Sequence, residues 1–145
     1  MKTLVTNRKA RFNYEIKNQL TAGLILSGQE VKSLKNGQGS LAGAYISIKG
    51  EEAFLTHAHI SPYKYAGENK NFDPEQPRKL LLKKKEINSL IGKERGSVII
   101  PLEIMETGEG LIKLKIGIGY GKKQYDKRET IKRREVERDI RRRQN

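Results

Sequence analysis

Residues 97–119 read SVIIPLEIMETGEGLIKLKIGIG, and this stretch decides the fold. Its second half sets Ile112, Leu114, Ile116 and Ile118 in alternation with Lys113, Lys115, Gly117 and Gly119. A period of two puts the apolar side chains on one face of a strand and the lysines on the other. The first half, SVIIPLEIM, is a second clear strand, and ETGEG between them supplies the turn of a hairpin. Gly117 and Gly119 relieve crowding on a curved strand.

Similar signals recur upstream. RFNYEIKN alternates Phe12, Tyr14 and Ile16, and AGLIL (22–26) is a short apolar run. Each is read as a strand. Ser27 and Glu30 stand three apart, the spacing of a capping box. They open a helix through QEVKSLK, with Val31 and Leu34 inward, and Asn36 and Gly37 stop it. AYISI and AFLTHA flank KGEE and form a hairpin around Gly50. Residues 61–77 hold three of the four prolines and read as a long surface loop. RKLLLKKKEINSLIGKE reads as a helix that presents Leu80, Ile87, Leu90 and Ile91 on one face and ends at Gly92. The sum is about six antiparallel strands with two or three helices. The expected fold class is mainly β: a small antiparallel oligonucleotide-binding-like β-barrel with flanking helices, since closure removes exposed strand edges.

The C-terminal segment behaves differently. From Lys122 to Asn145 there is neither Gly nor Pro, and the only apolar or aromatic residues are Tyr125, Ile131, Val136 and Ile140. Eleven Lys and Arg against five Asp and Glu give it +6, which leaves +7 of the chain's +13 on residues 1–121. Such a segment buries too little surface to fold alone. The expected organisation is therefore a β-barrel body over 1–121 and a basic tail over 122–145, disordered until it meets a partner. A net charge of +13 favours a polyanion, and RNA is the first expectation. A membrane is not: Ile131, Val136 and Ile140 fall at about 0°, 140° and 180° on a helix, which is no coherent apolar face. The opening MKTLVTNRKARF has no apolar targeting core, no run is long enough to span a bilayer, and there is no Cys. A cytoplasmic protein without disulfides or thiolate metal sites is expected.

Catalytic motifs fail on inspection. GIGYGKK has Ile116 where a phosphate-binding loop needs Gly, and Lys123 where it needs Ser or Thr. His57 and His59 share a face if HAH is extended, but no carboxylate stands at a recognisable spacing. A structural or RNA-contacting role suits them better than metal ligation or a nuclease. No nucleophile has a paired base, so no enzyme, metal or cofactor is expected. NRKAR (7–11) offers three cations and an amide beside the first strand. Such groups suit phosphate and sugar contacts, and a merely solvated basic arm fits the composition equally.

NRKARFNYEI, AGLILSGQEVKSLKNG, DPEQPRKLLL and GKKQYDKR, in this order and spacing, resemble the SmpB family, the SsrA-binding proteins that partner transfer-messenger RNA (tmRNA). The resemblance covers nearly the whole chain. It implies a non-catalytic adaptor that binds the tRNA-like domain of tmRNA and brings it to 70S ribosomes stalled on mRNA lacking a stop codon, as a monomer on RNA. The alternative is a general RNA-binding or ribosome-associated barrel with no rescue role. The matching RNA-binding residues are Asn7, Arg8, Lys9, Arg11, Leu81, Lys122 and Lys123. Tyr14 and Tyr45 match aromatic positions and are expected to be mostly core. Two departures stand out: Thr21 where many members are acidic, and Tyr120 where many carry a cation.

The resemblance also implies that the tail becomes a helix in the empty mRNA channel. There Tyr125, Asp126, Lys127 and Arg128 face the decoding centre, and Arg134, Arg138, Arg141 and Arg142 approach rRNA phosphates. The pairs Glu129–Arg133, Glu137–Arg141 and Asp139–Arg143 support such a helix.

Overall fold

The structure, a computed structural model, describes residues 1–67, 71–122, 131–136 and 138. The decisive hairpin forms as read. β8 (Val98–Glu106) pairs with β9 (Ile112–Gly121), and the turn closes with the Thr107 N–H donating to the Leu111 carbonyl at 2.9 Å. Gly110 adopts φ +85° there, a conformation that favours glycine. Leu114 and Ile116 are wholly buried, while Lys113 and Lys115 lie on the outer face.

Around this pair runs a seven-stranded antiparallel sheet in the order β1-β8-β9-β2-β7-β5-β4. Its other strands are β1 (Lys2–Thr6), β2 (Tyr14–Leu24), β4 (Tyr45–Lys49), β5 (Glu52–Thr56) and β7 (Arg78–Leu81). A two-stranded ribbon joins β3 (Gly39–Ser40) to β6 (His59–Ile60). The helices are α1 (Ala10–Asn13), α2 (Gly28–Lys35) and α3 (Lys84–Ile91), and residues 131–136 are also helical. α2 has the expected capping box: the Glu30 N–H donates to Ser27 Oγ, and the Ser27 N–H donates to the Glu30 carboxylate at 3.0 Å. Gly37 stops it at φ +76°.

The mainly β architecture with flanking helices is the expected one, but no ladder closes it into a barrel among the described residues. β1 and β4 stand at the two ends of the sheet. The sheet curls until β4 has Cα atoms within 8 Å of β8, and the β3–β6 ribbon lies against β1 instead of a closing strand. Gly39 makes that approach possible, because a Cβ there would overlap the Leu34 side chain. Leu34, Leu41, Leu55, Ile60, Leu80 and Leu114 fill the enclosed core. Each contributes roughly 1.5–3 kcal/mol by leaving water.

Several local readings are corrected. RKLLL is not helical: Arg78 and Leu80 point inward and Lys79 and Leu81 outward, because the segment fills the gap between β2 and β5. The helix starts only at Lys84, where the Glu86 carboxylate accepts from the Lys83 N–H at 2.9 Å. Ile91 is exposed and does not join the stripe of Ile87 and Leu90. AGLIL is no separate strand, since β2 runs unbroken from Tyr14 to Leu24 along β9. Phe12 precedes that strand and sits in α1, whose Ala10 packs on Ile100 and Leu102. β1 went unread because Val5 is its one fully buried side chain.

Candidate nucleic-acid interface

The segment between β1 and α1 carries the first basic motif, and Asn7 fixes it. Asn7 Nδ2 donates to the Pro101 carbonyl at 2.8 Å, and its N–H donates to the Leu102 carbonyl at 2.8 Å. The amide therefore holds the motif to β8. Arg8, Lys9 and Arg11 are exposed around it. Arg8 and Lys9 line a cleft of about 1100 Å³, together with Gly37, Gly39, Ser40 and residues 42–44. Tyr14 and Tyr45 also line it. Tyr14 is half-buried, but Tyr45 is 47% exposed, which corrects its expected place in the core. It is the first residue of edge strand β4, which pairs only with β5 among the described residues, and its ring lies 5.5 Å from that of His57.

Leu81 lies outside this cleft. It is 56% exposed, packed over Gly23, and Gly23 in turn faces Lys113 across the sheet. Leu81 and Lys113 thus share one outer face. Thr21 lies on the same face opposite Lys115, whose Nζ is 3.6 Å from the Glu103 carboxylate. Lys122 meets the end of α1: its N–H donates to the Asn13 carbonyl at 2.8 Å, which brings the exit of β9 to the first basic motif. Arg134 places its guanidinium 5.8 Å from the Phe12 ring centroid, and Arg138 is helical and exposed. Lys123, Tyr125, Asp126, Lys127, Arg128, Arg141 and Arg142 lie outside the described residues.

Beneath the surface groups is a charged pair that the sequence reading missed. Arg78 and Glu30 are only 2% and 3% exposed. Arg78 Nε donates to the Glu30 carboxylate at 2.7 Å, while its other nitrogens donate to the Ala58 carbonyl and, at 2.8 Å, to the Pro74 carbonyl. One guanidinium thus ties α2, the β5–β6 corner and the end of the long loop to β7. Burial pushes the Glu30 carboxyl up. The hydrogen bond from the Ser27 N–H, the bond and charge of Arg78, and Gln76 outweigh burial and hold it below its ordinary value of 4.5. The strand turns Arg78 inward, where its charge demands a buried acid, and the apolar run of RKLLL gave no sign of that alternation.

His57 and His59 do have a carboxylate neighbour, contrary to the sequence reading. Each Nδ1 lies 3.8 Å from an oxygen of Glu75, sixteen or more residues further along the chain. Among the described residues no three His, Cys, Asp or Glu side chains are grouped to hold a metal ion. Tyr120 donates its hydroxyl proton to the Glu94 carboxylate, and that bond raises the phenol above its ordinary value of 10.0. The departure from a cation is thus matched by a tie to the loop after α3. No helix among the described residues is long and apolar enough to cross a membrane.

Together these features define a class: a mainly antiparallel β protein with short flanking helices, strongly basic, with a cation-rimmed cleft beside its first helix. Within that class the chain belongs to the SmpB family, whose model ("SmpB protein") matches residues 4–145. Similar chains include SsrA-binding proteins of Coprothermobacter proteolyticus, 45% identical over 98% of this chain and 96% of the relative; of Enterococcus faecalis, 48% identical over 96% and 90%; and of Wolbachia pipientis subsp. Culex pipiens, 49% identical over 96% and 94%. A solved chain described as "tmRNA-SmpB: a journey to the center of the bacterial ribosome" matches with a TM-score of 0.68 and 38% identity, over 82% of this chain and 84% of that one.

Proposed function

We propose that this protein is a tmRNA-binding adaptor of trans-translation that acts in the cytoplasm and performs no catalysis. It binds the tRNA-like domain of tmRNA with residues 1–121 and delivers it to stalled ribosomes, where residues 122–145 occupy the empty mRNA channel. The observation that carries this reading is the near full-length match to SsrA-binding proteins. The cleft rimmed by Arg8 and Lys9 supplies the chemistry, because cations held in fixed geometry release counterions from RNA phosphates. Asn7 sets the register of that rim on β8, so its contribution to RNA binding is positional. Arg11 and Lys122 extend the cationic surface along α1 and the exit of β9. Leu81 offers an apolar contact beside Lys113, suited to the face of an unpaired base.

Purification of the full chain from cells, followed by sequencing of bound RNA, tests the reading. One structured RNA with a tRNA-like end is the expected cargo. A broad mixture of cellular RNA without enrichment of that species would point to a general RNA-binding protein.

A further inference from the structure

A second aromatic and cationic cluster lies beside the cleft, on the segment that follows β6. Tyr63 and Tyr65 meet edge to face, with ring centroids 5.4 Å apart at 70°. The Lys64 ammonium stands 4.7 Å from the Tyr65 centroid, and Lys32 of α2 stands 5.7 Å from the Tyr63 centroid. Tyr65 is 71% exposed in spite of these neighbours. The cluster is pinned to α2 and the connector behind it: the Tyr63 N–H donates to Gln29 Oε1 at 3.1 Å, and the Ser61 N–H donates to the Gln38 carbonyl at 3.0 Å. Neither Lys32 nor Lys64 has a carboxylate partner within 4.0 Å among the described residues.

We propose that Tyr63 and Tyr65, with Lys32 and Lys64, form a stacking platform for an unpaired nucleotide of RNA. The inference rests on the RNA-binding reading above and adds a site to it. A flat exposed ring flanked by uncompensated cations matches a nucleotide in both its parts: the base stacks on Tyr65, and the phosphate meets the two ammonium groups. The recess beside the rings, about 540 Å³, is of a size to admit one nucleotide. The connector after α2 gives continuity with the cleft, because Asn36 and Gln38 line the recess while Gly37 and Gly39 line the cleft. A strand of RNA that leaves the cleft therefore crosses one short connector to reach Tyr65.

The test uses full-length Tyr65→Ala, Tyr65→Phe and Lys32→Ala/Lys64→Ala proteins, with two probes: the tRNA-like domain of tmRNA and purified ribosomes with an empty mRNA channel. The Ala variant is expected to bind one of these probes about five- to a hundredfold more weakly, with an unchanged salt slope. Phe should restore binding to within about twofold, since stacking needs the ring and not the hydroxyl. The double Lys variant should lower the salt slope by about two. The probe that weakens identifies the RNA that supplies the nucleotide. If wild type binds RNA and Tyr65→Ala binds both probes equally well, the platform is refuted and the RNA reading stands. If Phe is as weak as Ala, stacking is refuted. If wild type binds neither probe, the RNA reading fails and the platform with it.

Discussion

Arg78 and Glu30 show what one buried charge can hold in place. Arg78 reaches three acceptors on separate segments, so removing either partner leaves the other charged and unsatisfied in the core. Arg78→Ala and Glu30→Gln should each cost about 3–5 kcal/mol in urea unfolding. The apolar double variant Glu30→Leu/Arg78→Met should be less destabilised than the sum of the singles; additivity would mean that the two do not interact. The pair also sets an acid limit. The folded Glu30 carboxyl titrates below 4.5, so its stabilisation is complete above that pH and is lost as pH falls through the folded value. Unfolding curves at stepped pH should show this acid loss in wild type and a flatter profile in Glu30→Gln. At this scale the sequence was legible where chemistry is local: the cations Arg8, Lys9 and Arg11 are exposed beside the first strands, as a basic motif should be. Glu30–Arg78 and Glu75 beside two histidines join residues far apart in the chain, and only the folded path brings them together.

Elements were legible where the pattern was strong and both neighbours were close in sequence. The 97–119 hairpin, the Gly50 hairpin and the capped α2 all formed as read. RKLLL failed because a run of apolar residues fits either period, and the sheet had a vacant place between β2 and β5 that a helix could not fill. β2 was divided because Lys17, Asn18 and Gln19 are polar and exposed on both of its faces, which masked its continuity along β9. One glycine holds that long pairing together. A Cβ at Gly119 would overlap the Glu15 backbone, next to the register shift between Ile16 and Asn18. Gly119→Ala must therefore part β2 from β9, at a cost of about 1–3 kcal/mol for forced overpacking. Gly108, in the turn of the same hairpin, has open space where a Cβ would go. Gly108→Ala should change stability by less than about 0.5 kcal/mol. Chemical denaturation of the two variants side by side checks the claim, and equal midpoints would refute it.

At the scale of the whole molecule, the sequence divides its charge between residues 1–121, at +7, and residues 122–145, at +6. Among the described residues every strand lies within residues 2–121, so a body that ends at Gly121 should retain most affinity for the tRNA-like domain. Within that body, Arg8→Ala/Lys9→Ala/Arg11→Ala should weaken binding and lower the salt slope by about two to three, one phosphate per cation. An unchanged slope would mean that these cations touch no phosphate. The proposed function gives the tail a separate task. Residues 131–136 are helical with every side chain exposed, including Ile131 and Val136, and the Arg134 guanidinium over the Phe12 ring is an exposed contact that buries no apolar face of that helix. On the proposed function, a groove lined with rRNA phosphate would supply the contacts that offset the ordering entropy of such an exposed, charged helix. Deleting residues 127–145, or replacing Tyr125, Asp126, Lys127 and Arg128 by Ala, should therefore spare RNA binding and stop peptide tagging. Val136 gives a finer test. At 56% exposure, Val136→Ala removes little packing and should tag normally. Val136→Pro removes a helix hydrogen bond at a cost of roughly 3 kcal/mol and should impair tagging while leaving affinity for the tRNA-like domain unchanged. Tagging of a nascent chain on ribosomes stalled at a truncated mRNA measures both variants. Equal tagging by the Ala and Pro proteins would show that the segment works without being a helix.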